Sequence, residues 1–148
     1  MGPTAAPGSA QKLLVNAACQ LLKLLRLIRS LNPAGGGPTE GVRQITPHLA
    51  ALGVSTTVAS LDPPDAPWLQ HQPFEVIALG PVATGYGYRR GLPTRIRALA
   101  RQHDAVIIEG LWQYHAYATW RALRGTDIPY FVYTHGMLDP WFKRTYPL

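Results

Sequence analysis

A glycine-rich segment between an apolar run and a helix-like stretch is the feature that most constrains the fold of this chain. Residues 24–29 are mainly leucine and isoleucine, which predicts a buried strand, and three consecutive glycines follow at positions 35–37. Residues 39–52 then carry apolar side chains at the spacing of one helix face. Glycines before a helix let the backbone approach an anion, which free N–H groups at the helix start can bind. The alternative is an ordinary strand-to-helix turn in which Thr39 caps the helix.

The glycine-rich segment does not match two well-known nucleotide-binding motifs. Val42 and Arg43 stand where a P-loop needs lysine followed by serine or threonine. Glu40 occupies the last glycine position of a dinucleotide-binding fingerprint. The sequence therefore supports neither ATP hydrolysis nor hydride transfer.

Strand-like and helix-like segments alternate along the rest of the chain. This alternation predicts right-handed crossovers, and hence a Rossmann-like α/β fold with a parallel sheet between two layers of helices. Pro47 lies inside the first predicted helix, so we expect either a kink or a surface position for it. The predicted strands are 24–29, 54–60, 74–79, 105–109 and 130–134, and the predicted helices are 39–52, 93–102 and 112–124.

The composition limits the partners and the compartment of the protein. A length of 148 residues with 47% hydrophobic residues fits one domain with a sizeable core. The formal net charge of +6 favours an anionic partner. The basic residues are scattered and are not interleaved with stacking aromatics, so we do not expect nucleic-acid binding. The single cysteine, Cys19, cannot form an internal disulfide, which favours a reducing, cytoplasmic location.

The first 22 residues are predicted to be an extension of the domain. Residues 1–10 are rich in glycine, proline and alanine and are predicted to be disordered, whereas residues 11–22 are apolar and could form a helix. The longest charge-free apolar run, residues 13–22, is too short to span a bilayer. Residues 1–10 carry no charged side chain, and Lys23 and Arg26 interrupt the apolar region that follows, which argues against a signal peptide.

Chemistry-bearing side chains follow the ends of several predicted strands. Gly36, Gly37, Trp112 and His135 each lie just after such an end. Because the carboxyl ends of parallel strands meet at one edge of a sheet, we predict that these four residues line a single crevice. His135 is the candidate catalytic residue, since a histidine can donate a hydrogen bond or carry a proton near neutral pH. A purely structural role is the alternative for it.

Aromatic residues near the fourth strand offer a second candidate surface. Trp112, Tyr114 and His115 could form a wall on which a sugar stacks, or they could pack the start of a helix. Asp139, followed by Pro140, is predicted to cap the last helix. The histidines and the cysteine show no metal-ligand spacing, so we expect neither a metal nor another cofactor.

Several segments, in this order, resemble the N-terminal half of family-4 retaining glycosyltransferases of the GT-B fold. The segments are residues 28–38, 40–43, 110–115 and 134–143, and the likeness spans residues 23–148. The resemblance implies a transfer of sugar from a nucleotide-sugar donor to a glycan or lipid-linked acceptor with retention of configuration. It further implies that Gly36 and Gly37 lie beside the donor's diphosphate and that His135 lies beside the transferred sugar.

The family's second, donor-binding domain has no counterpart in this sequence. We therefore expect residues 23–148 to be a truncated acceptor-side domain, one half of a GT-B fold, that is inactive on its own. A peripheral contact with the inner face of the membrane is a further expectation. The alternative function is a non-catalytic domain that binds a glycan or a nucleotide, or an inactive gene remnant.

Overall fold

The protein folds as a five-stranded parallel sheet with helices on both faces. The computed structural model describes residues 22–145, so the predicted tail and residues 11–21 of the predicted helix lie outside the described residues, whereas Leu22 belongs to the first strand. The strands follow the order β3-β2-β1-β4-β5 across the sheet. Their bounds are Leu22–Ile28 (β1), Val54–Ser60 (β2), Glu75–Ala78 (β3), Ala105–Glu109 (β4) and Tyr130–Tyr133 (β5). The predicted α/β fold class is confirmed.

Helices connect each strand to the next or lie in the loops between them. The α-helices are Gly37–Ala51 (α1), Leu92–Ala100 (α2), Tyr114–Leu123 (α3) and Pro140–Thr145 (α4). Short 3-10 helices occur at Pro33–Gly35 and Pro67–Leu69. None of the helices within residues 22–145 is long and apolar enough to cross a lipid bilayer.

The sheet separates two apolar layers. Ile28 of β1 packs with Val42 of α1 on one face. Leu25 of β1 packs with Ile96 of α2 and Ala118 of α3 on the other face. Successive residues of β1 therefore alternate between the layers, and all five residues from Leu24 to Ile28 are buried. A central strand covered on both faces explains the nearly continuous apolar run in the sequence.

The first helix begins earlier than the sequence predicted, and the interpretation of Thr39 as its cap is wrong. α1 starts at Gly37 with Gly36 as the N-cap residue, and Pro38 lies in the first turn, where its fixed φ suits a helix. The Thr39 hydroxyl instead donates a hydrogen bond of 3.1 Å to the Ser30 carbonyl. Thr39 thus ties the helix to the glycine-rich segment.

Two other local predictions for helix ends and interiors are confirmed. Pro47 lies inside α1 on its exposed side, where the hydrogen bond that it cannot donate faces solvent. Asp139 caps α4, since its Oδ1 accepts a hydrogen bond of 2.7 Å from the Trp141 amide.

Candidate functional site

A cavity of about 230 Å³ opens at the carboxyl edge of the sheet. Arg29 and Ser30 line it from the end of β1, and Glu109 lines it from the end of β4. Gly35 and Thr39 contribute the glycine-rich segment. Met137, which follows β5, closes the other side together with Gln113 at the start of α3. Segments that are far apart in the sequence therefore meet in one crevice, as expected for a parallel sheet. The four residues that were predicted to line it are not in its wall but lie next to wall residues: Gly36 and Gly37 follow Gly35, Trp112 is hydrogen-bonded to Met137, and His135 is hydrogen-bonded to Glu109.

The glycine-rich segment adopts a conformation that depends on glycine at one position. Gly36 has a φ of 72°, in the region that side chains other than glycine rarely adopt. Apart from neighbouring residues of the chain, no atom of residues 22–145 lies within 4 Å of the point where a Cβ of Gly36 or Gly37 would stand. The backbone at these two positions is therefore open to a ligand, directly beside Gly35 at the cavity wall.

A buried aspartate at the end of β2 holds the segment in place. Asp62 accepts a hydrogen bond of 2.6 Å from the Ser30 hydroxyl through Oδ1 and one of 2.8 Å from the Leu31 amide through Oδ2. Arg43 of α1 donates to the Leu31 carbonyl at 3.1 Å. The start of the glycine-rich segment is thereby fixed to the end of β2 and to α1 before any ligand arrives, which lowers the entropy lost on binding.

His135 is hydrogen-bonded to a buried ion pair. Arg26 of β1 donates to Oε1 of Glu109 through Nε at 2.8 Å and through Nη2. The other carboxylate oxygen, Oε2, lies 2.6 Å from Nε2 of His135. The Glu109 side chain is fully buried, whereas 24% of the His135 side chain is exposed. The histidine therefore reaches the surface from a charged pair inside the protein.

The turn after β5 locks His135 and Trp112 onto the same side of the molecule. His135 and Gly136 have φ values of 48° and 77°, which reverse the chain so that the Met137 amide donates to the Thr134 carbonyl at 2.9 Å. The Trp112 indole donates to the Met137 carbonyl at 3.1 Å. The tryptophan is 44% exposed and is available to a ligand.

Tyr114 and His115 occupy buried positions, unlike Trp112. The Tyr114 ring packs against Tyr88 with 4.8 Å between ring centroids. The His115 side chain has no exposed surface, and its Nε2 donates to the Glu109 carbonyl at 2.8 Å. Both residues pack the start of α3, so only Trp112 of the three offers its surface to an acceptor in this arrangement.

Burial lowers the pKa of His115 to about 4, and the nearby Arg29 charge adds to this effect against the opposing hydrogen bond to the Glu109 carbonyl. The unfolded chain binds a proton at this histidine below about pH 6.5, whereas the folded chain does not do so until about pH 4. Stability from this residue is therefore complete above about pH 6.5 and is lost as the pH falls toward 4.

We predict that this loss amounts to about 3 kcal/mol of the free energy of unfolding. Urea unfolding of the wild type and of His115→Gln between about pH 7 and pH 4 checks it. The difference in the free energy of unfolding between the wild type and His115→Gln is expected to narrow as the pH falls. For the exposed control, His48→Gln, the free energy of unfolding is expected to change with pH in parallel with that of the wild type. Parallel curves for His115→Gln would contradict the prediction.

Sequence reasoning missed two functional candidates. Arg29 had no assigned role, yet it lines the cavity as a cation beside the glycine-rich segment. Its position directly after an apolar strand was the available signal. A row of aromatic rings, exposed except at the buried Tyr114, was also missed, although Tyr117 and Trp120 follow Tyr114 at helical spacing. Their centroids lie 6.0 Å and 5.6 Å from the preceding ring, and Tyr86 and Tyr88 extend the row.

No cluster of three or more histidine, cysteine, aspartate or glutamate side chains suited to a metal ion occurs within residues 22–145. The ionisable groups in the crevice wall are instead Arg29 and Glu109, and Glu109 is bonded in turn to Arg26 and His135. They can bind an anion, donate and accept hydrogen bonds, and carry a proton.

Comparisons with known proteins identify the family. The model of a family described as "Glycosyl transferase 4-like domain" matches residues 36–148. A solved structure of a glycosyltransferase from Rickettsia africae ESF-5 is similar, with a TM-score of 0.57 at 16% sequence identity over 86% of this chain. The chain covers 34% of that protein's length. A comparison with curated proteins finds no match. Because the family match spans well over half of the chain, the protein belongs to the glycosyl transferase 4-like domain family.

Proposed function

We propose that this chain is the acceptor-side domain of a GT-B glycosyltransferase that moves a sugar from a nucleotide donor to an acceptor with retention of configuration. The observation that carries the proposal is the crevice in which the glycine-rich segment, Arg29 and Glu109 meet, with His135 hydrogen-bonded to Glu109. The family match supports glycosyl transfer as the reaction.

The glycine-rich segment and Arg29 are suited to the donor's diphosphate. The Gly37 amide lies in the first turn of α1, where the helix dipole and unpaired N–H groups favour an anion. The Gly36 amide donates to the Pro33 carbonyl at 3.3 Å, so Gly36 contributes by letting the donor approach the backbone. Arg29 adds a full positive charge at the wall of the same cavity. When the bond between sugar and phosphate breaks, negative charge grows on the leaving diphosphate, and these groups stabilise it without first reorganising.

His135 and Trp112 are suited to the transferred sugar and the acceptor. The exposed part of the His135 ring, next to the crevice residue Glu109, can hydrogen-bond to a sugar hydroxyl. The accessible indole of Trp112 can stack on an acceptor ring. Tyr114 and His115 take part in this proposal by holding the start of α3 in place.

A second domain is part of the proposal, because this chain supplies groups to only one side of a donor. Its partners would be a nucleotide sugar and a glycan or lipid-linked acceptor. We further propose a cytoplasmic location, with a peripheral contact at the inner face of the membrane. A non-catalytic glycan-binding domain is the second candidate, and the exposed aromatic row from Tyr86 to Trp120 favours it.

Binding of inorganic pyrophosphate to the 148-residue chain tests the diphosphate site directly. We expect pyrophosphate to shift the NMR signals of the Gly35, Gly36, Gly37 and Thr39 amides in a saturable manner. Arg29→Gln should weaken this binding about ten- to a hundredfold, because a hydrogen bond from a charged donor contributes about 1.5–3 kcal/mol.

Arg101→Gln is the matched control, since Arg101 is exposed at the end of α2, away from the crevice. It should leave the binding unchanged. Equal weakening by both substitutions, or shifts outside the crevice only, would remove the support for a diphosphate site.

A further inference from the structure

We propose that Glu109 is a positioning residue that fixes the proton of His135 on Nε2 and leaves Nδ1 as the nitrogen that meets the ligand. The starting observation is the distance of 2.6 Å between Glu109 Oε2 and His135 Nε2. A carboxylate accepts hydrogen bonds and does not donate them, so the ring nitrogen in this contact carries the hydrogen. This assignment holds whether the ring is neutral or positively charged.

The carboxylate is prevented from turning away from the ring. Its Oε1 is occupied by Arg26, whose guanidinium is a donor only and stays charged. The backbone carbonyl of Glu109 accepts the hydrogen bond from His115 on the opposite side. Both the side chain and the main chain of Glu109 are thus held by buried partners, and among residues 22–145 only His135 is hydrogen-bonded to Oε2.

The ring itself is oriented by the backbone and by a neighbouring aromatic side chain. His135 has a positive φ of 48° in the turn after β5. The Tyr133 ring meets the His135 ring edge-on, with 6.5 Å between centroids, and its face lies 5.7 Å from the Arg26 guanidinium carbon. Tyr133 therefore contacts both ends of the Arg26–Glu109–His135 chain and limits rotation of the ring.

The contact between Nε2 and Glu109 leaves the other ring nitrogen of His135, Nδ1, to meet a ligand. Nδ1 of His135 makes no hydrogen bond to any of the residues that the structure describes. In a neutral ring it is an acceptor for a sugar hydroxyl, and in a charged ring it is a donor to a phosphate oxygen. This last step rests on the proposed function, whereas the position of the proton on Nε2 does not.

NMR of the ¹⁵N-histidine-labelled 148-residue chain tests the proton position without any substrate. At a pH well above neutrality, we expect a protonated-type shift for Nε2 of His135 and an unprotonated-type shift for Nδ1. The opposite assignment, or averaged shifts from exchanging tautomers, would overturn the proposal. Glu109→Gln should weaken the preference, because a glutamine amide can donate as well as accept.

Glu40→Gln, on the exposed side of α1, is the matched control and should leave both shifts of His135 unchanged. Should Glu109→Gln fail to fold, the assignment in the wild-type chain decides the proposal by itself. The NMR result is also independent of activity, so a wrong tautomer and an absent transfer reaction are separate outcomes.

A kinetic measurement distinguishes positioning from a merely structural role. In this chain joined to a donor-binding domain, Glu109→Gln should lower kcat roughly ten- to a hundredfold, as is typical when the partner that orients a functional histidine is removed. The double variant Glu109→Gln/His135→Ala should have a kcat no lower than that of His135→Ala alone. Losses that multiply in the double variant would overturn the positioning role.

Discussion

Replacing Arg26 with methionine is expected to lower the free energy of unfolding by about 3–5 kcal/mol. The substitution removes a cation from a strand that is buried on both faces and leaves the Glu109 carboxylate without its charged partner. An uncompensated buried charge is among the largest destabilising changes that one substitution can cause. Chemical denaturation at neutral pH measures the loss.

The double variant Arg26→Met/Glu109→Leu separates the ion pair from simple packing. Because it removes both charges, it should be more stable than either single variant. Lys23→Met is the control on the same strand, and it should change stability by no more than about 0.5 kcal/mol because Lys23 is exposed. If the double variant lost as much free energy of unfolding as the two single variants lose together, the two charges would not depend on each other.

The fold could be predicted because its signals are local. The bounds of β2 and β4 agree with the predicted 54–60 and 105–109, since each strand is a short apolar or β-branched run between turns. The position of the glycine-rich segment after β1 then followed from the order of elements. The start of the domain at residue 23 and the roles of Gly36, Gly37 and Trp112 stay predictions.

The ion pair behind His135 could not be predicted in this way, because its partners are 83 residues apart. Arg26 and Glu109 are each the only charge in an otherwise uncharged stretch of buried strand, Leu24–Ile28 and Ala105–Glu109. A buried charge needs a partner, so two such residues on neighbouring strands were a usable signal. That β1 and β4 are neighbours is a property of the topology, which the local patterns leave open.

His115 is buried because of the residue at which α3 begins. α3 begins at Tyr114 and turns His115 toward the Glu109 carbonyl, whereas Trp112 stays in the preceding loop. A shift of one residue in the helix start rotates every side chain by about 100°. Sequence patterns do not fix helix ends to one residue, so the packing and sugar-wall alternatives could not be separated before the structure was described.

The 148-residue chain alone is expected to show no sugar transfer, and to gain it when joined to a donor-binding domain of the same family. The proposed transition state forms between two domains, and stabilisation of the leaving diphosphate requires donors on both sides. This chain offers the amides of the glycine-rich segment and Arg29 on one side only. Steady-state transfer assays with a panel of nucleotide sugars measure the gain.

In the joined protein, His135→Ala is expected to lower the transfer rate roughly ten- to a thousandfold, the range for losing one positioned polar group. Its stability should fall by only about 1 kcal/mol, because the ring is partly exposed and water can replace its hydrogen bond to Glu109. His103 is another partly buried histidine, at the opposite edge of the sheet. His103→Ala is therefore the control, and it should transfer sugar at the wild-type rate.

An unchanged rate for His135→Ala would make that residue structural. Turnover by the 148-residue chain alone would contradict the need for a second domain, and binding of a glycan without turnover by the joined protein would favour the non-catalytic alternative.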